Sequence, residues 1–134
     1  MQLQIDMKFL ILDTNVLLRY MLRDVESQYK EAKKVFDKIA SEKIVGKISI
    51  LVLDELVWAF GKHYEIKVSD FVPKIMEILA LKNIKIIEIN KSIVMKIFTK
   101  MLETGIDFTD IYLSEIATQK TLFSFDKDFK KLFN

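Results

Sequence analysis

Four short, mostly apolar runs, at residues 8–12, 44–49, 84–89 and 121–125, alternate with longer segments of helical periodicity. Runs of five or six residues bounded by polar positions suit buried strands. After the first, Val16, Leu17, Tyr20 and Met21 keep a helical spacing, and residues 26–40 carry Tyr29, Ala32, Val35, Phe36 and Ile39 on one face. Residues 50–64 predict a helix that is apolar almost all round. Ser69 or Asp70 is placed to cap the next helix, with Pro73 in its first turn, where proline is tolerated. Asn90 precedes a helix whose core face is Ile93, Val94, Ile97, Phe98 and Met101, and Asp107 opens a last helix through Ala117. Strands alternating with helices imply right-handed crossovers and a mostly parallel sheet covered on both faces, a three-layer α/β/α sandwich. Ligands in such folds bind beyond the carboxyl ends of the strands.

A chain of 134 residues fits one domain, with residues 1–7 an extension outside the core pattern. Three glycines and one proline leave little room for linkers. No apolar run approaches a membrane span, and the start lacks the basic and apolar regions of a signal peptide. The expected location is the cytoplasm.

The absence of cysteine excludes disulfides, zinc ribbons and thiolate nucleophiles. The single histidine, His63, excludes sites that need a histidine pair, and its place between Lys62 and Tyr64 at the end of an apolar helix reads as a solvated helix terminus. Chemistry in this chain must run on carboxylates. The net charge of +2 does not by itself argue for nucleic acid, but setting aside four negative charges in one pocket leaves +6 on the remainder.

Asp13 follows the first strand and Asp126 the last, so both stand at the sheet edge where ligands bind. Either alone reads as a cap or turn residue; the pair can meet across a crevice. Asp107 and Asp110 lie three apart at a helix start, sharing a face near the positive end of the helix dipole. Asp107 suits the N-cap, and Asp110 projects from the first turn. Glu55 lies on the apolar helix beside Asp54, the two about 100° apart. Burial of Glu55 without a partner would be costly, and a bound cation would relieve that cost. Converging carboxylates without nitrogen or sulfur ligands make a hard oxygen site suited to Mg²⁺ or Mn²⁺.

The segments Leu12-Asp13-Thr14-Asn15-Val16, Leu53-Asp54-Glu55-Leu56-Val57-Trp58, Asp107-Phe108-Thr109-Asp110-Ile111-Tyr112-Leu113 and Phe123-Ser124-Phe125-Asp126-Lys127-Asp128-Phe129 resemble the pattern of PIN-domain ribonucleases in order and spacing. The resemblance spans residues 9–129. It maps the family's four acids onto Asp13, Glu55, Asp110 and Asp126, with Asn15 and Ser124 in support, Asp107 auxiliary, and Asp128 a weaker substitute for Asp126. It implies metal-dependent endonucleolytic cleavage of single-stranded RNA leaving 5′-phosphates. A lone PIN domain of this size is similar to VapC-type toxins of toxin–antitoxin pairs. That likeness implies a homodimer, held inactive by an antitoxin whose tail enters the acidic cleft. Trp58 and Phe60, on a helix with more apolar surface than one core contact needs, are the candidates for the dimer face.

Two other readings share parts of this pattern. A PIN nuclease of RNA maturation shares all the chemistry. A receiver-like phosphoacceptor also has a parallel sheet and an acidic Mg²⁺ pocket, but the 84–89 strand ends in Glu88 and Asn90 without the aspartate such a domain requires. A haloacid-dehalogenase-like site would need a second aspartate where Asp13-Thr14-Asn15 has none.

Overall fold

The structure is a computed structural model describing residues 8–133; the expected extension at residues 1–7 lies outside the described residues. In chain order the elements are β1 (Phe9–Ile11), α1 (Thr14–Leu22), α2 (Glu26–Ala40), β2 (Val45–Ile48), α3 (Ile50–Trp58), α4 (Val68–Leu79), β3 (Ile84–Ile86), α5 (Lys91–Thr104), α6 (Phe108–Ile116) and α7 (Phe129–Leu132). The strands form a parallel sheet in the order β1-β2-β3, with Leu10 opposite Gly46 and Gly46 opposite Ile84. This is the α/β architecture with a parallel sheet that the alternating pattern predicts. No helix among the described residues is long and apolar enough to cross a membrane.

Strand alternation sends Ile48 and Ile84 into the core, while Phe9, Ile11 and Lys85 face outward. One contiguous core joins this sheet face to Leu17, Phe36, Leu53, Leu56, Phe71, Val72, Ile75, Ile97 and Phe98 from the helices. At Gly46 side chains of α2 and β3 crowd the strand backbone. A β-carbon there would stand 2.7 Å from Ile39 Cδ1 and 2.9 Å from Ile84 Cδ1. Tyr20 of α1 stacks on Phe36 of α2, ring centres 4.2 Å apart. Glu115 of α6 is gripped by Lys96 and Lys100 of α5.

Helix α3 starts immediately after β2. Its N-terminus is fixed by Ser49, whose hydroxyl accepts from Leu51 N, and by Glu88 just beyond β3, whose carboxylate accepts from Ile50 N. Burial pushes the Glu88 carboxyl up, but these hydrogen bonds from the Ser49 hydroxyl and the Ile50 N–H outweigh it and hold the group below the usual glutamate range. This clamp fixes the start of α3 against the segment that follows β3.

Several local expectations change. The helix expected over 50–64 is α at its start and opens into a π-helical turn over Ala59–His63, with Tyr64 N donating to Ala59 O. Helix α4 begins at Val68, and its N-cap, Lys67, makes no side-chain cap bond, so neither Ser69 nor Asp70 is the cap. Pro73 therefore falls in the second turn. It is tolerated there because Pro73 and Ser69 are both exposed, and water can satisfy the carbonyl that proline leaves without a donor. Phe60 is core, whereas Trp58 is 61% exposed.

The largest change is at residues 121–125, which do not form the expected strand. Among the described residues the sheet has three strands. Local hydrogen bonds hold the backbone at both ends of the segment. Thr118 N donates to Thr121 Oγ1, Thr121 N and Leu122 N donate to Thr118 O, Asp126 N donates to Ser124 Oγ, and Asp128 N donates to Asp126 Oδ1. The segment runs over the surface with Phe123 85% and Phe125 92% exposed.

Candidate active site

Asp13 is the N-cap of α1, directly beyond β1, and its Oδ1 accepts from Thr14 N at 2.7 Å. Thr14 is buried, and its hydroxyl donates to Glu55 Oε2 at 2.8 Å, which ties α1 to α3. Asp13 and Glu55 thus flank one buried threonine. The expectation that Glu55 is itself buried is corrected: it is exposed. An almost wholly apolar helix still has an outer face, and Glu55 shares it with Leu51, Asp54 and Trp58. The buried group at this contact is the threonine.

One residue earlier, Asp54 Oδ1 accepts from Thr109 Oγ1 at 2.9 Å and ties α3 to the first turn of α6. A crevice of about 450 Å³ opens here, walled by Asp54, Asp107 and Asp110, with Phe71, Met101 and Phe108 among its apolar lining. Asp107 occupies the N-cap position of α6, as the sequence predicts, yet its side chain makes no cap bond. Burial raises the Asp110 carboxyl above the usual aspartate range, and the charges of Asp126, Asp107 and Asp128 raise it further. Asp126 therefore reaches the field of Asp110, although it is carried on an irregular segment.

Two hydrogen-bonded contacts, Asp13 and Glu55 about Thr14 and Asp54 with Thr109, lie beside Asp110, which feels the charges of Asp107 and Asp126. Among the described residues no group of three histidine, cysteine, aspartate or glutamate side chains is placed to hold a metal ion. The donor set is still all oxygen, and the crowding of charge around Asp110 is what a hard divalent cation would relieve. Asn15 stands apart, lining a second groove of about 490 Å³ between α1 and α2 with Arg19 and Glu31. Ser124 supports Asp126 through its backbone N–H.

Sequence reasoning missed Asp54, Thr14 and Thr109. Each lies next to or one removed from a singled-out acid. The signal for Asp54 was its position beside Glu55 on an otherwise apolar helix; the two threonines become visible only once α1, α3 and α6 are packed together.

The PIN domain family model matches residues 10–133, and the chain belongs to that family. PIN domains form a superfamily of metal-dependent nucleases, and the parallel α/β fold accords with that class. No curated protein matches the chain, and neither does any solved structure.

Proposed function

We propose that this chain is a single-domain endoribonuclease that cleaves single-stranded RNA, and that Asp13, Glu55, Asp110 and Asp126 hold Mg²⁺ or Mn²⁺ for the reaction. The observation that carries the reading is the crevice walled by Asp54, Asp107 and Asp110, where burial and the charges of Asp126 and Asp107 raise the Asp110 carboxyl. Such crowding of like charges stores unfavourable energy that a cation would release.

A divalent cation, when bound, would polarise a phosphodiester and make a coordinated water more acidic. The chain's own groups supply the rest. Thr14 holds the Glu55 carboxylate in one orientation, and Thr109 does the same for Asp54. Asp107 adds negative charge beside Asp110 without spending its carboxylate on the helix end. Ser124 fixes the turn that presents Asp126.

The resemblance to VapC-type toxins extends the proposal to the toxin of a toxin–antitoxin pair, acting in the cytoplasm as a homodimer and restrained by a protein antitoxin. Incubation with random single-stranded RNA and DNA pools, with Mg²⁺ or Mn²⁺ supplied or chelated, tests the activity. The expected result is RNA cleaved to 5′-phosphate ends only with metal present. Undiminished cleavage in chelator, or cleavage of DNA alone, overturns it.

A further inference from the structure

Helix α3 carries the only tryptophan of the chain, Trp58, a residue 61% exposed on the wall of the acidic crevice. An exposed indole on the wall of a polar crevice offers a flat apolar face to a ligand that enters it. Asp54, Trp58, Gly61 and Lys62 follow one another at helical spacing along that wall, which runs from α3 into the π-helical turn. Trp58 therefore lies four residues, about 6 Å of helix rise, beyond Asp54. A β-carbon on Gly61 would meet no atom within 4 Å, so the crevice wall is open at that position. Lys62 and Lys67 also line the crevice, giving it positive charge to set against Asp54, Asp107 and Asp110.

Acids at one end, an exposed indole, and lysines beyond it match the chemistry of a nucleotide strand. The lysines suit its phosphates, the ring suits a base, and the volume of about 450 Å³ is in the range of small-ligand sites. We propose that Trp58 is the platform on which a base of the single-stranded substrate stacks next to the cleaved phosphodiester, with Lys62 and Lys67 taking the adjoining phosphate. The proposal rests on the nuclease reading of the crevice but concerns binding, so it is testable where no cleavage occurs. It assigns the exposed face of Trp58 to substrate and leaves a second copy of the chain to dock elsewhere.

The test uses the Asp110→Asn protein with Mg²⁺, so that RNA is bound without turnover, and short single-stranded oligoribonucleotides carrying a fluorescent end label. As the only tryptophan, Trp58 reports directly through its own emission. Unlabelled oligoribonucleotide should quench it saturably, whereas inorganic polyphosphate, a polyanion without bases, should not. Adding Trp58→Ala should weaken labelled-RNA binding by roughly 5- to 150-fold, the range for loss of one base–aromatic stack. Trp58→Phe should restore most of the affinity, and Lys62→Ala with Lys67→Ala should weaken binding and flatten its salt dependence. Unchanged emission on RNA addition, or unchanged affinity in Trp58→Ala, overturns the proposal. Emission that follows protein concentration instead of RNA also overturns it and assigns the ring to an interface between copies. Failure of the nuclease reading looks different: the unmodified protein then cuts no RNA with any divalent metal, whatever Trp58 reports.

Discussion

The contact between Thr14 and Glu55 is unequal, and the inequality has a measurable signature. Thr14 is 3% exposed, whereas Glu55 is exposed, and a single hydrogen bond of 2.8 Å joins them. Thr14→Val is nearly isosteric and leaves no cavity. It removes the donor, and water takes its place at the carboxylate. A hydrogen bond to a charged partner contributes about 1.5–3 kcal/mol, but with the acceptor hydrated the loss should fall to about 0.5–1 kcal/mol. Glu55→Ala leaves the buried hydroxyl with no acceptor, and an unsatisfied buried polar group costs about 1–3 kcal/mol. The double variant removes both ends and should be little worse than Thr14→Val alone. Urea melts in chelator at neutral pH, with the slope required to stay constant, measure all three. Costs that add in the double variant would show that the two residues do not interact, and would refute the reasoning. If Glu55 also holds metal, Thr14→Val should lower RNA cleavage while Thr14→Ser, which keeps the hydroxyl, preserves it.

Asp110→Asn should stabilise the metal-free protein at neutral pH. A raised carboxyl value means that the folded state binds the proton more tightly; that favours folding below the unfolded value near 3.9 and is lost as pH rises through the folded one. The gain over the unmodified protein should therefore grow with pH in thermal melts from 3.5 to 7.5, and a pH-independent difference contradicts it. Asp107→Asn should leave stability within about 0.5 kcal/mol, since asparagine suits the N-cap position equally well, and should lower cleavage less than Asp110→Asn does; equal losses would make Asp107 a ligand. Gly46→Ala should cost about 1–2 kcal/mol in a denaturant melt, because the new methyl must displace the side-chain tips of Ile39 and Ile84; no cost would mean that α2 sits farther from the sheet.

The parallel sheet and its helices were legible because periodicity records burial. Ile48, Ile84, Val94, Ile97 and Phe98 all lie where the pattern puts them. The run at 121–125 shows where that signal stops. Its pattern suits a strand, but pairing also depends on where the chain emerges from α6, and there Thr118, Thr121 and Ser124 bind nearby backbone groups. The acids were singled out by type and order, because a chain without cysteine and with one histidine leaves few other catalytic groups. Their environments were not legible. Glu55 was expected to be buried because its neighbours are apolar, yet an apolar helix on a small domain still turns one face to water, and which face depends on its partners. Asp54 was passed over for the same reason: a turn of 100° separates it from Glu55, and only the position of α6 shows that Asp54 is the one bonded to Thr109.

Mn²⁺ titration of the metal-free protein, followed by electron paramagnetic resonance of the free ion, bears most directly on the claim that these acids exist to hold a cation. The unmodified chain should bind Mn²⁺ saturably, with added Mg²⁺ competing, and Asp110→Asn and Asp126→Asn should each lose most of that affinity while remaining folded. Equal Mn²⁺ binding in the unmodified protein and both variants would contradict the account.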